Sequence, residues 1–441
     1  MEELFEKAPV KKVYYQLALP VVFSMIISML YNIADTYFVA KTGNTDLVAG
    51  ITVSSPLFMF MLAIGDIFGL GGSALISRLF GQKRYEESKH VSSFSFYGDI
   101  IFTIILTVLL LVFEAPIMHL LGANAQTYQY AAEFYRVLVI GSVFITLSLV
   151  PGNMIRTEGL AVKSMIATIS GTVLAIILDP IFLFGFKWGA AGVAFANVLG
   201  YALNTGLLIY FTWKDSKFLS FNPKYIKVSW HHFKEIIAIG IPSSVTNFMQ
   251  TFGMALLNNY LVIYGNDKVA AMGITQKVYG IVTLVLVGFA FGAQPLIGYN
   301  YGAKNAKRFR EVLRYDFKVE VVYAIIASLI LIVLSPFVIK LFMNNPQIIA
   351  DGSYMLRVCL LTTPFIGGAI LVYTTVFQSA GKGWSALVMS ISRQGVVYFI
   401  SMVVMVKILG YHGVVMAQPV ADILTCAIGY LIYQRDFRKF K

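Results

Sequence analysis

Residues 192–197 read GVAFAN and residues 413–418 read GVVMAQ. The pair belongs to a series of matches offset by 221 to 223 residues. ALP at 18–20 meets GIP at 240–242, GIT at 50–52 meets GIT at 273–275, Gly65 and Gly69 meet Gly288 and Gly292, and FGQK at 80–83 meets YGAK at 301–304. A repeat half the length of the chain points to a duplicated structural unit, a common construction in transporters.

The composition says where that unit lives. Of 441 residues, 58% are hydrophobic and 13% charged, and the mean hydropathy is +0.75. A soluble domain carries about 25% charged residues, so this is a membrane protein. Spanning the hydrocarbon core takes about 20 apolar residues in a helix. Twelve candidate segments run near 13–40, 46–78, 91–117, 125–155, 163–185, 190–213, 233–264, 268–300, 315–342, 347–379, 384–408 and 411–433. With the amino terminus placed inside, 26 of the 34 lysines and arginines fall at the cytoplasmic face and five at the outer face. Arg136, Lys277 and Arg357 lie within segments. This asymmetry follows the positive-inside rule and predicts both termini in the cytoplasm. Six helices per repeat is an even number, so the two copies share one orientation, with a pseudo-two-fold axis along the membrane normal and a cavity between them. The expected units are a lobe at 1–213, a basic cytoplasmic linker at 214–232 and a second lobe at 233–441.

Other classes find little support. The formal charge of +12 sits between apolar runs rather than on a motif-bearing surface, so nucleic acid is not an expected partner. Cys359 and Cys426 both lie inside apolar runs and imply no disulfide framework. The charged first dozen residues and the lack of a cleavage-like site argue against a removable signal peptide. His231 and His232 have no partner at metal-ligand spacing, and neither GxSxG nor HExxH occurs, so neither a metal centre nor an enzyme is expected. A passive channel stays open on sequence grounds.

The polar residues inside the spans carry the functional reading. Asp35 lies six residues before Lys41, about 9 Å below the outer end of the first helix. Asp179 lies eight residues before Lys187, and Asn197 eight after Gly189, each about 12 Å below the same face. Asn32 shares a helical face with Asp35. Pro180 lacks an N–H and frees the carbonyl of Ile176, which favours an oxygen-rich nest for a cation. Charging two carboxylates in low dielectric is costly, and a bound proton or sodium ion neutralises the nest. If the loaded and empty nests favour different bends at Pro20, where the helical ladder is interrupted, ion binding becomes a conformational switch. The alternative for each aspartate is a structural ion pair or helix cap, although these three helices offer no lysine or arginine at that depth. Asp66, placed about 30 Å along the second helix near the cytoplasm, reads as solvated or packed, and Asp99 and Asp422 are weaker candidates still. Lys277 reads equally as a gating contact or a snorkelling side chain. Gly65, Gly69, Ser73 and Ser77 form a stripe for close helix packing.

ALP followed by DTYFVAKTG, GQKRYEE after the second helix, RTEG after the fourth and LDPIFLFGFKWGAAGVAFAN across the fifth and sixth resemble the multidrug and toxic compound extrusion (MATE) family, in its bacterial MepA-like branch. The resemblance covers essentially the whole chain. It implies a V-shaped, all-α exporter in which proton or sodium influx expels mainly cationic, aromatic compounds, with no cofactor. Such a pump is expected as a monomer in the lipid of a bacterial plasma membrane. In the family's terms Asp35, Asp179 and Asn197 match the ion site, Pro20 a bending point, and Tyr135 and Asn153 positions lining the cavity. Two departures matter. Ala175 stands where many relatives carry an asparagine ligand, which favours protons over sodium. Gln250 stands where some branches place a glutamate, and the tenth helix is read as having no acid on either side of Arg357, so coupling through the second lobe is not expected. A flippase for an amphiphilic or lipid-linked precursor is the alternative.

Overall fold

The structure, a computed structural model, describes residues 2–438 and 440. Lys439 and Lys441, counted above among the basic residues of the cytoplasmic face, lie outside the described residues. The first six spans are α1 (Val10–Lys41), α2 (Thr45–Gly81), α3 (Tyr85–Val112), α4 (Tyr128–Ile140 and Ser142–Thr157), α5 (Ala161–Pro180) and α6 (Gly189–Asp215). The second six are α7 (Trp230–Leu261), α8 (Asn266–Gly302), α9 (Ala306–Phe342), α10 (Pro346–Ser379), α11 (Gly383–Leu409) and α12 (Tyr411–Phe437).

Local sequence explains many of the boundaries. The side chains of Asn44, Asn305 and Asn345 accept from free backbone N–H groups in the first turns of α2, α9 and α10. Gly410, at φ 56°, sits in the left-handed region between α11 and α12. The fourth segment is a single run in sequence but two helices in space, bent by 47° at Gly141. Ten helices, or eleven with this bent pair, are long and apolar enough to cross a membrane. The twelfth is α7, less apolar because Asn247, Gln250, Thr251 and Asn258 face a cavity. Rows of exposed apolar residues such as Ile104, Ile105 and Val108 on α3, and Ile330, Val333 and Phe337 on α9, suit contact with lipid.

The halves meet by exchange: α1 packs on α8, and α7 packs on α2. The glycines at these crossings show the register. An added Cβ on Gly71 would sit 2.3 Å from the Ile236 carbonyl, and one on Gly292 would sit 2.3 Å from the Ala18 Cα. Gly292 is therefore the counterpart of Gly71, at the 221-residue offset of FGQK and YGAK. Gly69, its partner in the sequence comparison, faces Leu149 of α4 in its own lobe. Both ends of the chain lie on one face. Arg308, early in α9, donates to the carbonyls of Phe5 and Ala8, and Phe437 stacks on Phe309 at 5.5 Å. The segment joining α6 to α7 is bound down along α3 and α4. Ser88 and Ser93 donate to the carbonyls of Phe218 and Ser220, and Glu158 accepts from Ser216 Oγ at 2.7 Å and Phe218 N at 2.8 Å. Burial pushes the Glu158 carboxyl up, and these bonds pull it back.

Candidate functional site: a polar cavity between the lobes

A cavity of ≈ 820 Å³ lies toward the face opposite the termini. Ser28, Tyr31, Asn32 and Asp35 come from α1, and Thr168, Gly171, Thr172 and Ala175 from α5. Asn197, Gly200, Tyr201 and Asn204 come from α6, and Asn247, Gln250, Thr251, Met254 and Asn258 from α7. The spacing of three, then one, then three residues recurs on the first three of these helices, each offering one face. Ile51, Thr52, Ser55 and Phe58 of α2 and Phe134 of α4 complete much of the wall.

The structure brings Asp35, Asp179 and Asn197 together, although they come from three helices. Asp35 is half-buried at the cavity edge, and Asp179 lies behind it at 1% exposure. The two carboxyls are within hydrogen-bond reach of each other. Neither oxygen of Asp179 has a donor among the described residues, and neither does Oδ1 of Asp35. Among the described residues no lysine or arginine lines the cavity. Tyr31, one turn before Asp35, faces both acids and Asn197. Asn32 is exposed to the cavity, and its amide donates to the Ser28 carbonyl at 3.0 Å. Gln250 also lines the wall.

Several expectations need correction. Tyr135 is wholly buried, and its hydroxyl donates to the Leu110 carbonyl at 2.7 Å, so it braces α4 against α3 and does not line the cavity. Asn153 is also outside the lining: it bonds Leu149 and Arg156, below the bend of α4 that turns its face toward α2. Pro20 does not break α1, which is continuous from Val10 to Lys41, with Ser24 Oγ donating to the Pro20 carbonyl at 2.8 Å. Pro180 has a larger local effect, because α5 widens after it into a π-helical turn, Ile181–Gly185. Of the two readings of Asp66, the packed one fits: Asn247 of the other lobe donates to it at 3.0 Å, and Arg156 lies beside it. Asp351 does belong to the tenth helix, ahead of Arg357, and pairs with Lys268 at 2.5 Å. Arg136 forms a two-bond pair with Glu114 at 2.7 Å on the surface, and Lys277 is exposed.

Sequence reading also missed residues of the site. Tyr31 and Asn204 were legible as polar positions four residues from Asp35 and seven from Asn197, on the same helical faces. The contribution of Asn247 and Asn258 was not, because nothing local says which face of α7 meets the first lobe.

A duplicated bundle of apolar helices around a polar, carboxylate-bearing cavity is the construction of a membrane transporter. The family profile described as MatE matches residues 20–181 and 242–404, once in each half, and the chain belongs to this family, as a multi-pass protein of the bacterial cell membrane. It is 30% identical over 431 residues to the multidrug export protein MepA of Staphylococcus haemolyticus (strain JCSC1435), covering 97% of this chain and 94% of that protein. The MepA of Staphylococcus aureus (strain MRSA252) is 29% identical over 428 residues, with the same coverage. Two solved structures share the fold. One is described as the outward-facing conformation of a multidrug resistance MATE family transporter of the MOP superfamily, with a TM-score of 0.91 and 24% identity over 100% of this chain and 98% of that one. The other is a MOP superfamily transporter from Pyrococcus furiosus Vc1 (DSM3638), with a TM-score of 0.91 and 24% identity over 99% and 98%. The two-lobed, twelve-helix fold expected from sequence is the fold observed. Among the described residues no group of three or more His, Cys, Asp or Glu could hold a metal ion.

Proposed function

We propose that the chain is a secondary antiporter that exports small organic, cationic and aromatic compounds in exchange for protons, with its ion switch in the first lobe. The observation that carries this reading is the opposed pair of Asp35 and Asp179, unaccompanied by any basic side chain, at the edge of a cavity large enough for a drug-sized molecule. One proton shared by the pair removes a negative charge, and a cationic substrate arriving in the cavity competes with it for the same carboxylates. Asn197 and Asn32 offer the remaining polar contacts, Gln250 lines the cavity from α7, and Phe58, Phe134 and Met254 give a wall suited to aromatic rings. Proton coupling is favoured over sodium because Ala175 contributes no ligand oxygen. Pro20 remains the proposed bending point between two conformations of α1. The lobes are taken as 1–213 and 233–441, joined by 214–232, with the termini and most lysines and arginines in the cytoplasm, so that the cavity faces outward. The relatives' name, multidrug export protein, supports the direction of transport. A monomer suffices, since the cavity is formed within one chain.

The test is efflux of a fluorescent cationic dye from proteoliposomes under separately imposed proton and sodium gradients, for the native chain and Asp35→Asn. Proton-driven efflux lost in the variant is the expected result. Unchanged efflux in the variant reduces Asp35 to a structural residue, and dye retained under both gradients redirects the search to amphiphilic lipid-linked substrates.

A further inference from the structure

The first lobe's acid pair has a second, unassigned counterpart at the other end of α1. Asp316 and Glu320 lie one turn apart on the same face of α9, and both are fully buried. Tyr14 of α1 donates to Asp316 Oδ1 at 2.6 Å. Asp316 Oδ2 and both oxygens of Glu320 have no partner among the described residues. The other titratable groups around them are tyrosines: Tyr15 on α1, and Tyr315 and Tyr323 along α9. From α8 the neighbour is Phe289, stacked on Tyr14 at 6.3 Å. From the π-helical turn Ile366–Leu371 of α10 it is Gly367, where an added Cβ would lie 3.1 Å from Glu320 Oε2. Apart from the Asp35 and Asp179 pair, other deeply placed acids have partners: Asp422 has Arg393, Asp351 has Lys268, and Asp99 has Thr146. Glu320 has none.

We propose that Asp316 and Glu320 form a second proton-binding site, covered by Tyr14 and exchanging with solution at the terminus-bearing face when the first half of α1 leaves α8 and α9. Two buried carboxylates with no cation repel each other and lack solvation, and one proton taken from solution converts one of them to a carboxylic acid that donates its O–H to its neighbour. Tyr14 keeps its own proton and serves as a donor. Asp316 lies ten residues from the start of α9 at that face, about 15 Å along the helix. Asp35 lies near the opposite end of α1, about 31 Å from Tyr14. The first half of α1 rests on the second lobe, with Ala18 and Val22 against Gly292 and Gly288, while α1 also packs on α5, which carries Asp179. One helix therefore touches both acid pairs, one toward each face of the membrane.

The site is tested without transport, so its failure is separable from failure of the antiport reading. Protein carrying Asp35→Asn and Asp179→Asn is titrated in detergent by infrared difference spectroscopy, with and without Glu320→Gln, Asp316→Asn or Tyr14→Phe. The expected result is a protonated-carboxyl band that loses the area of one carboxyl in Glu320→Gln or Asp316→Asn. In Tyr14→Phe the band shifts, and its D2O exchange becomes several-fold faster. Spectra of both acid variants that superimpose on the parent at every pH overturn the site. A band removed by Glu320→Gln but unmoved, with unchanged exchange, in Tyr14→Phe overturns the covering role of α1. The amide variants preserve side-chain shape, and elution as the parent species confirms that each is folded before its spectrum is read.

Discussion

Around Asn197 and its repeat counterpart Gln418, the two lobes treat a buried carboxylate in opposite ways. In the first, Asp35 and Asp179 face each other beside Asn197 with no basic side chain. In the second, the counterpart of Asn197 at the 221-residue offset is Gln418, and Gln418 donates to Asp422 at 2.9 Å. Arg393 pairs with the same carboxylate at 3.4 Å. At that offset Arg393 and Asp422 correspond to Thr172 and Tyr201, both of which line the cavity of the first lobe. The duplicated scaffold thus holds a resident ion pair on one side where it leaves an open polar wall on the other. A tethered guanidinium balances its acid permanently, whereas an unaccompanied acid pair is balanced by a mobile cation. Duplication supplied two equivalent frames, and a few side chains separate the one suited to exchange from the one suited to support.

The sharpest way to break this comparison is to neutralise the acid of each lobe in turn. Asp35→Asn is expected to reduce gradient-driven dye efflux to the level of protein-free vesicles, while Asp422→Asn retains most of it; equal losses would end the distinction. Next in size is the stability of the second lobe. Arg393→Met leaves Asp422 charged and buried, at a cost of about 3 kcal/mol, seen as a lower Tm in detergent. Adding Asp422→Asn should restore most of that loss, and a double-mutant cycle reads the coupling. Gln250→Leu removes one polar contact from the cavity wall, and a loss of about 1 kcal/mol raises KM for the dye roughly fivefold, with kcat little changed. The smallest effect separates bracing from lining: Tyr135→Phe costs about 1 kcal/mol of stability through one hydrogen bond and leaves the dye KM unchanged. A shifted KM would return Tyr135 to the substrate path.

Hydropathy and motif spacing made the twelve spans legible, because a helix in lipid must satisfy its own backbone and so declares itself in about 20 consecutive residues. The polar depth of Asp35, Asp179 and Asn197 was legible for the same reason, since rise per residue converts sequence distance to depth. Depth does not give azimuth. Tyr135 faces α3 beside the cavity-lining Phe134, and Asn153 lies beyond the bend at Gly141, which a continuous apolar run conceals.

The sequence alone determined the membrane setting, the duplication and the family, each carried by short stretches whose meaning is local. Tertiary structure decided which charges are answered and which are left open. Arg393 meets Asp422 across 29 residues, Asn247 meets Asp66 across 181, and Tyr14 meets Asp316 across 302. Those meetings depend on how helices approach, and close approaches run through Gly71 of α2 against α7 and Gly292 of α8 against α1, where a single added methyl would collide with backbone. Such contacts join helices far apart in the chain, so each segment read alone cannot reveal them.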